Sequence, residues 1–222
     1  MNRYALRVAI ALLTFIIGVT FVAVWLIKWR NPISTSVNPS ATEAKAITSA
    51  ATISPDTADD YAVYSTVLAE KRYINEHTKQ VVIEDETDDE KEISIALNKS
   101  LNEIIPKAAQ STIADYISKN KEPQHLDNLF KLKVERVLVS ASEIKEIFEN
   151  HHIEGWKIIA ERYPDSLGLI TLSRIGFNPE RTQALVHVGI GCGGSCGEGN
   201  FFLLAKESGV WKVQKKIMTW IS

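Results

Sequence analysis

The chain has 222 residues, of which 25 are Lys or Arg and 27 are Asp or Glu, and its formal net charge at pH 7 is -2. This near-neutral balance provides no basic excess for a phosphate backbone, so we exclude a nucleic-acid partner. It gives no support for binding any other strongly charged polymer.

The N-terminal region contains a hydrophobic stretch. An uncharged run of 20 residues begins at Val8 and ends at Ile27. At about 1.5 Å per residue this run spans roughly 30 Å, the thickness of a bilayer core. A secretory signal peptide has a shorter apolar region and a nearby cleavage site, and a buried core helix is usually shorter and amphipathic. We therefore predict a transmembrane anchor over residues 1–30 that binds the lipid bilayer.

Residues 31–55 form a polar segment rich in Ser, Thr, Ala and Pro. Such a segment buries too little apolar surface to offset its ordering entropy, so we predict a flexible linker. The basic residues flanking the anchor nearly balance and do not decide its orientation. The linker and the close pair of cysteines favour a single-pass membrane protein whose bulk is extracytoplasmic, because disulfides persist mainly in oxidising compartments.

The middle of the chain alternates helical and strand patterns. A start signal at Ser54-Pro55-Asp56 and near-helical apolar spacing predict a helix over 56–76. A helical region at 93–119 is interrupted by Pro106, which removes an amide donor, so two helices or one kinked helix fit equally well. Further patterns predict strands at 80–84 and 131–139 and short helices after Ser140 and over 155–162.

The last quarter consists of four apolar or alternating runs with turn residues between them, at 167–177, 184–190, 201–206 and 210–221. Consecutive strands with short connections predict an antiparallel meander. The predicted fold class is therefore α+β, with one domain over 56–222 in which helices pack on one face of a four-stranded antiparallel meander. This order of elements resembles that of the cone-shaped NTF2-like folds.

A glycine-rich stretch, GIGCGGSCGEG, runs from Gly189 to Gly199. It matches a dinucleotide-binding pattern and a nucleophile elbow around Ser195, but both motifs need a following helix, and the residues after it are typical of a strand. The elbow also requires a histidine after the serine in the chain, but no histidine follows His187. We predict no catalytic residue, no cofactor and no metal here, and retain Ser195, Gly194 and His187 only as ligand-binding or loop candidates.

The two cysteines lie inside this stretch. Cys192 and Cys196 have three residues between them, whereas redox pairs usually have two and a helix N-terminus. A zinc site would need two further ligands, and His187 is the only histidine nearby in the sequence. We predict a hairpin loop closed by a local disulfide, with the redox and metal alternatives left open.

An acidic run, EDETDDEKE, occupies residues 84–92. It could bind Ca²⁺, but it lacks the glycine at the sixth loop position of an EF-hand. We predict a solvated turn whose carboxylates also favour a following helix N-terminus.

Four segments carry a resemblance: DYAVYSTVL, SRIGFNPERTQALVHVG, CGGSCGEGNFFLLAKESGVWKV and MTWIS. Together they resemble an uncharacterised bacterial family of membrane-anchored proteins. The resemblance implies a bacterial source, and the predicted anchor and its orientation would then place the domain in the bacterial cell envelope. It brings no activity, cofactor or catalytic residue.

These patterns favour a membrane-tethered, extracytoplasmic binding or interaction domain without catalysis. Its partner would be a protein, or a small molecule held on the concave side of the sheet. The alternative hypothesis is a hydrolase or thiol-dependent enzyme centred on residues 189–199.

Overall fold

The computed structural model of this chain describes residues 54–88, 105–149 and 152–222. All of them belong to one compact unit, Ala51–Ser222. The described helices are α1 (Pro55–Leu68), α2 (Gln110–Lys119), α3 (Ala141–Phe148) and α4 (His152–Arg162). The described strands are β1 (Gln80–Glu84), β2 (Glu135–Val139), β3 (Leu169–Leu172), β4 (Gly176–Phe177), β5 (Gln183–Gly191), β6 (Gly197–Glu207) and β7 (Val210–Ile221).

The strands form one mixed sheet in the order β2-β1-β3-β5-β6-β7, with the short β4 paired to β5. β1 runs parallel to both β2 and β3. The pairs β3·β5, β4·β5, β5·β6 and β6·β7 are antiparallel. The sheet therefore has a parallel half, built by crossover connections, and an antiparallel half, built by hairpins.

The predicted fold class is wrong in its sheet, although the α+β content is as expected. The four-stranded antiparallel meander, and with it the NTF2-like order, is replaced by a seven-stranded mixed sheet within the described residues. The run at 167–177 divides into β3 and β4, and the strands at 80–84 and 135–139 add a parallel half. Pairing of these two strands is non-local, so their sequence patterns do not reveal it.

Helices cover both faces of the sheet, not one face as the sequence predicted. In β1, Val81 and Ile83 pack in the main core with α1, whereas Val82 packs in another cluster with α3 and α4. In β6, Phe202 joins the α1 side and Phe201 joins α2 on the opposite side. Successive strand residues point to opposite faces, so each strand contributes to two cores.

Two cross-strand glycine pairs explain most of the glycine-rich stretch. Gly189 pairs with Gly199, and Gly191 pairs with Gly197, all within β5 and β6. A Cβ atom at Gly199 would overlap the indole of Trp220, and one at Gly191 would overlap that of Trp156. The glycines thus make a flat strip on which two tryptophan rings lie.

The first helix begins at an ordinary cap and is fixed to the sheet by charges. The Ser54 hydroxyl accepts the Thr57 N–H, and Pro55 stands at the first helical position. Lys206 Nζ donates to both carboxylate oxygens of Asp59, at 2.7 and 2.9 Å. Burial raises the pKa of Asp59, but the hydrogen bonds from Lys206, Trp211 and Arg181 outweigh it and hold that pKa below its usual value.

Several predicted segments lie outside the described residues. They include the transmembrane run 8–27, the linker except for its last two residues, and residues 89–104. Within the described ranges, no helix is both long and apolar enough to cross a membrane.

Candidate functional site

A pocket lies where the parallel strands end. In the sheet, β2 lies on one side of β1 and β3 lies on the other. The connections from β1 to β2 and from β2 to β3 therefore run in opposite directions across the sheet, which makes a topological switch point between β1 and β3. Ligands of such sheets bind outside the carboxyl ends of the strands at this point. Directly after β1, the backbone carbonyl of Asp85 accepts the Leu126 N–H at 2.7 Å. This bond brings the segment 124–127 to the same edge of the sheet.

We name this cavity the switch-point pocket. Its volume is about 130 Å³, several times the ~30 Å³ that one water occupies in the liquid. It is lined by Thr57, Asp60, Tyr61, Tyr64, Lys119, Gln124, His125, Leu126, Asp127, Arg174 and Ile175. The lining therefore comes from α1, the end of α2, the segment 124–127 that follows α2, and the residues after β3.

Two buried tyrosines of α1 shape the pocket floor. The Tyr64 hydroxyl donates to the Ser173 carbonyl at 2.9 Å, and the Tyr61 hydroxyl accepts the backbone N–H of Asp127. Burial raises the pKa of both hydroxyls, so they stay neutral at physiological pH. These bonds fix the helix to both segments that carry the charged lining residues.

Arg174 is the best-positioned cation of the pocket. Its backbone is held on both sides by the buried Asn120, whose side chain accepts the Arg174 N–H at 2.7 Å and donates to its carbonyl at 3.0 Å. Its Nη1 donates to the Lys119 carbonyl at 3.2 Å. The Nε atom is buried and has no hydrogen-bond partner in the described part of the chain. The guanidinium is thus fixed in place with unused donor capacity.

The other charges of the pocket fall into pairs. Asp60 Oδ1 accepts from Arg181 Nη2 at 2.8 Å, and burial raises the pKa of Asp60 against that interaction. Lys119 Nζ lies 2.7 Å from Asp115 Oδ2. His125 Nδ1 lies 3.9 Å from a carboxylate oxygen of Asp85.

Two lining charges remain after this pairing. Over residues 54–88, 105–149 and 152–222, neither Arg174 nor Asp127 forms an ion pair, with each other or with another residue. Within these ranges the pocket therefore carries one positive and one negative group without an opposite charge on the chain, the negative group on the exposed Asp127 at its rim.

No family model, curated protein or solved structure matches the chain. The membership in an uncharacterised bacterial family stays a prediction, and function is argued from the pocket.

The predicted site residues lie elsewhere. Residues 192–196 connect β5 to β6, and the sulfur atoms of Cys192 and Cys196 are within disulfide-bonding distance, with Cα atoms 5.1 Å apart. The Cys192 N–H donates to the Cys196 carbonyl at 2.7 Å. Gly194 and Ser195 are exposed at the tip of this connection. The loop is thus a short closed hairpin connection.

His187 does not join Ser195. It is buried on β5, where its Nε2 lies 2.9 Å from Thr219 Oγ1 and its backbone N–H donates to Ser173 Oγ. The nucleophile and base of the hydrolase alternative are therefore not hydrogen bonded to each other. Among the residues that the structure describes, no three His, Cys, Asp or Glu side chains form a candidate metal site.

The sequence reasoning missed the switch-point pocket. Its charged residues come from four segments that are separated by up to 114 positions, from Asp60 to Arg174. The sequence held one weak signal for this pocket. Ser173 and Arg174 directly follow the apolar run LITL, and polar residues at the carboxyl end of a parallel strand are typical of a ligand site. That signal needs the strand to be parallel, which the pattern did not show.

Proposed function

We propose that this chain is a non-catalytic binding domain that holds a small polar molecule in the switch-point pocket. The observation that carries the proposal is the fixed guanidinium of Arg174, which lies at the switch point with unused hydrogen-bond donors. A rigid donor needs no ordering when a ligand arrives, so little affinity is lost to reorganisation.

The size of the pocket limits the ligand. The volume of about 130 Å³ lies below the roughly 300–1,000 Å³ of typical ligand pockets, which favours a small ligand over a nucleotide or an oligosaccharide. The mixture of charged and hydroxyl groups favours a polar ligand over an apolar one.

The proposed setting is the outer face of a bacterial membrane. The uncharged run 8–27 would anchor the chain, and the linker would hold the binding domain away from the bilayer. In this arrangement the pocket would sample small solutes outside the cytoplasm. A protein partner would then recognise the domain when the pocket holds its solute.

The test is a thermal-shift screen of the full chain in detergent. The panel contains acetate, phosphate, glycine, alanine, ethanolamine and glycerol at millimolar concentration. At least one solute should raise the unfolding midpoint by several degrees, because a ligand at 100 times its Kd adds about 2.7 kcal/mol to folded-state stability.

Two arginine variants make the screen specific. Arg174→Met should lose the shift, and Arg162→Met should keep it. Arg162 is a matched control because it lies on α4 and pairs with Glu143, outside the pocket lining. A panel with no stabilising solute, or an equal shift in Arg174→Met, would refute binding in this pocket.

A further inference from the structure

The charge pattern of the switch-point pocket identifies a class of ligand. This inference rests on the proposed function and narrows it. Of the ionisable lining residues, Asp60, Lys119 and His125 already lie beside a side chain of the opposite type on the chain. Only Arg174 and Asp127 remain without one in the described ranges, so the pocket has one open site for an anion and one for a cation.

The two open charges are held apart by the fold. Arg174 follows β3 and is fixed by Asn120, whereas Asp127 belongs to the segment that is bonded to Tyr61. They lie further apart than an ion pair, yet both line the same small cavity. Arg174 is partly buried, so an anionic group of a ligand supplies the partner that its guanidinium lacks. Asp127 is exposed at the rim, so a ligand that also carries a cationic group gains a second contact there.

We propose that the ligand is a small zwitterion of the α-amino acid type. Its carboxylate accepts hydrogen bonds from the guanidinium of Arg174, a pairing that suits the planar fork of arginine. Its ammonium group is compensated by Asp127 at the rim. The volume of about 130 Å³ limits the side chain to a small one.

Three nearly isosteric probes test this assignment by calorimetric titration of the full chain in detergent. Alanine carries both charges, lactate replaces the ammonium group by a hydroxyl, and alaninol replaces the carboxylate by an alcohol. Alanine should bind at least tenfold more tightly than either of the other two. A difference of this size corresponds to about 1.4 kcal/mol.

Variants assign each charge to its residue. Asp127→Asn should reduce the preference for alanine over lactate at least fivefold and leave lactate binding unchanged. Arg174→Met should abolish binding of both alanine and lactate. Arg162→Met should retain both affinities, and the unfolding midpoint of each variant without ligand reports whether it folds.

The outcomes separate this inference from the proposed function. If lactate or alaninol binds as tightly as alanine and this binding needs Arg174, the zwitterion inference is wrong. The proposed small-molecule function then still stands. The same holds if a different solute of the thermal-shift panel binds and alanine does not. Failure of every probe and every panel solute would overturn both.

Discussion

At the scale of single residues, Glu84 at the end of β1 is a carboxylate in an unfavourable place. Burial raises its pKa to about 7, and the nearby carboxylates of Asp88, Asp85 and Glu86 add to the increase. Within the described residues, no hydrogen bond or ion pair compensates its charge. Its ionised form therefore destabilises the folded state.

The sign of the pH dependence follows from this shift. The unfolded chain has a pKa of 4.5 at Glu84, and the folded chain binds the proton more tightly. The contribution of protonated Glu84 to the free energy of unfolding is fully present below about pH 4.5 and is lost as pH rises toward 7.

Glu84→Gln mimics the protonated side chain. We expect it to raise the free energy of unfolding by about 1 kcal/mol at pH 8, a value reduced for partial solvent screening, and to give no gain at pH 4.5. Urea unfolding at both pH values measures the difference. The control is Glu135→Gln, an exposed position at the start of β2, with an expected change below about 0.5 kcal/mol at either pH. An equal gain for Glu84→Gln at both pH values would contradict the assignment.

At the scale of elements, the sequence predicted local structure well and pairing poorly. A short apolar run located the strand at 80–84, alternation located the strand at 210–221, and the serine cap located α3, because these signals come from neighbouring residues. The parallel association of β1 with β2 and β3 depends on contacts between distant segments. For the same reason the pocket, which those strands create, had no continuous motif.

The glycine-rich stretch shows a second limit. Its glycines predicted a wide loop, but Gly189, Gly191, Gly197 and Gly199 belong to β5 and β6, and only residues 192–196 form the connection. Glycine there serves the close approach of tryptophan rings, which a sequence pattern does not distinguish from a turn.

This packing gives a prediction for Gly199→Ala. The new methyl group would displace the Trp220 indole, and the free energy of unfolding should fall by about 1 kcal/mol, the low end for overpacking, because Trp220 is 40 % exposed. Tryptophan fluorescence should move to longer wavelength, because the displaced ring gains solvent exposure. Gly194→Ala is the matched control, since a Cβ atom there meets nothing within 4 Å. If both variants lose equal stability, packing against Trp220 is not the reason for the glycine.

At the scale of the whole molecule, the cysteine pair connects the structure to the predicted topology. Cys192 and Cys196 lie at disulfide distance, and a stable disulfide requires an oxidising compartment. The run 8–27 is the segment proposed to deliver the domain there. The oxidation state of the pair therefore reports on the location of the domain.

We expect the full chain, isolated from a bacterial membrane with free thiols labelled by a maleimide during lysis, to carry no label on Cys192 or Cys196. Reduction should then expose two thiols. Mass spectrometry after maleimide labelling counts them, and Cys196→Ser, which cannot close the ring, should show one thiol without reduction. Two labelled thiols in the unreduced wild-type chain would contradict the extracytoplasmic location.

The central claim is that a small polar molecule occupies the pocket beside Arg174, and nuclear magnetic resonance of the arginine Nε–Hε groups tests it most directly. Arg174→Met assigns the Arg174 signal in the full chain, which is then titrated with alanine and, separately, with lactate. The Arg174 signal should shift and saturate with alanine, while the Arg162 signal stays in place. An Arg174 signal that moves with none of alanine, lactate and the solutes of the thermal-shift panel, in a chain that remains folded, would contradict the claim.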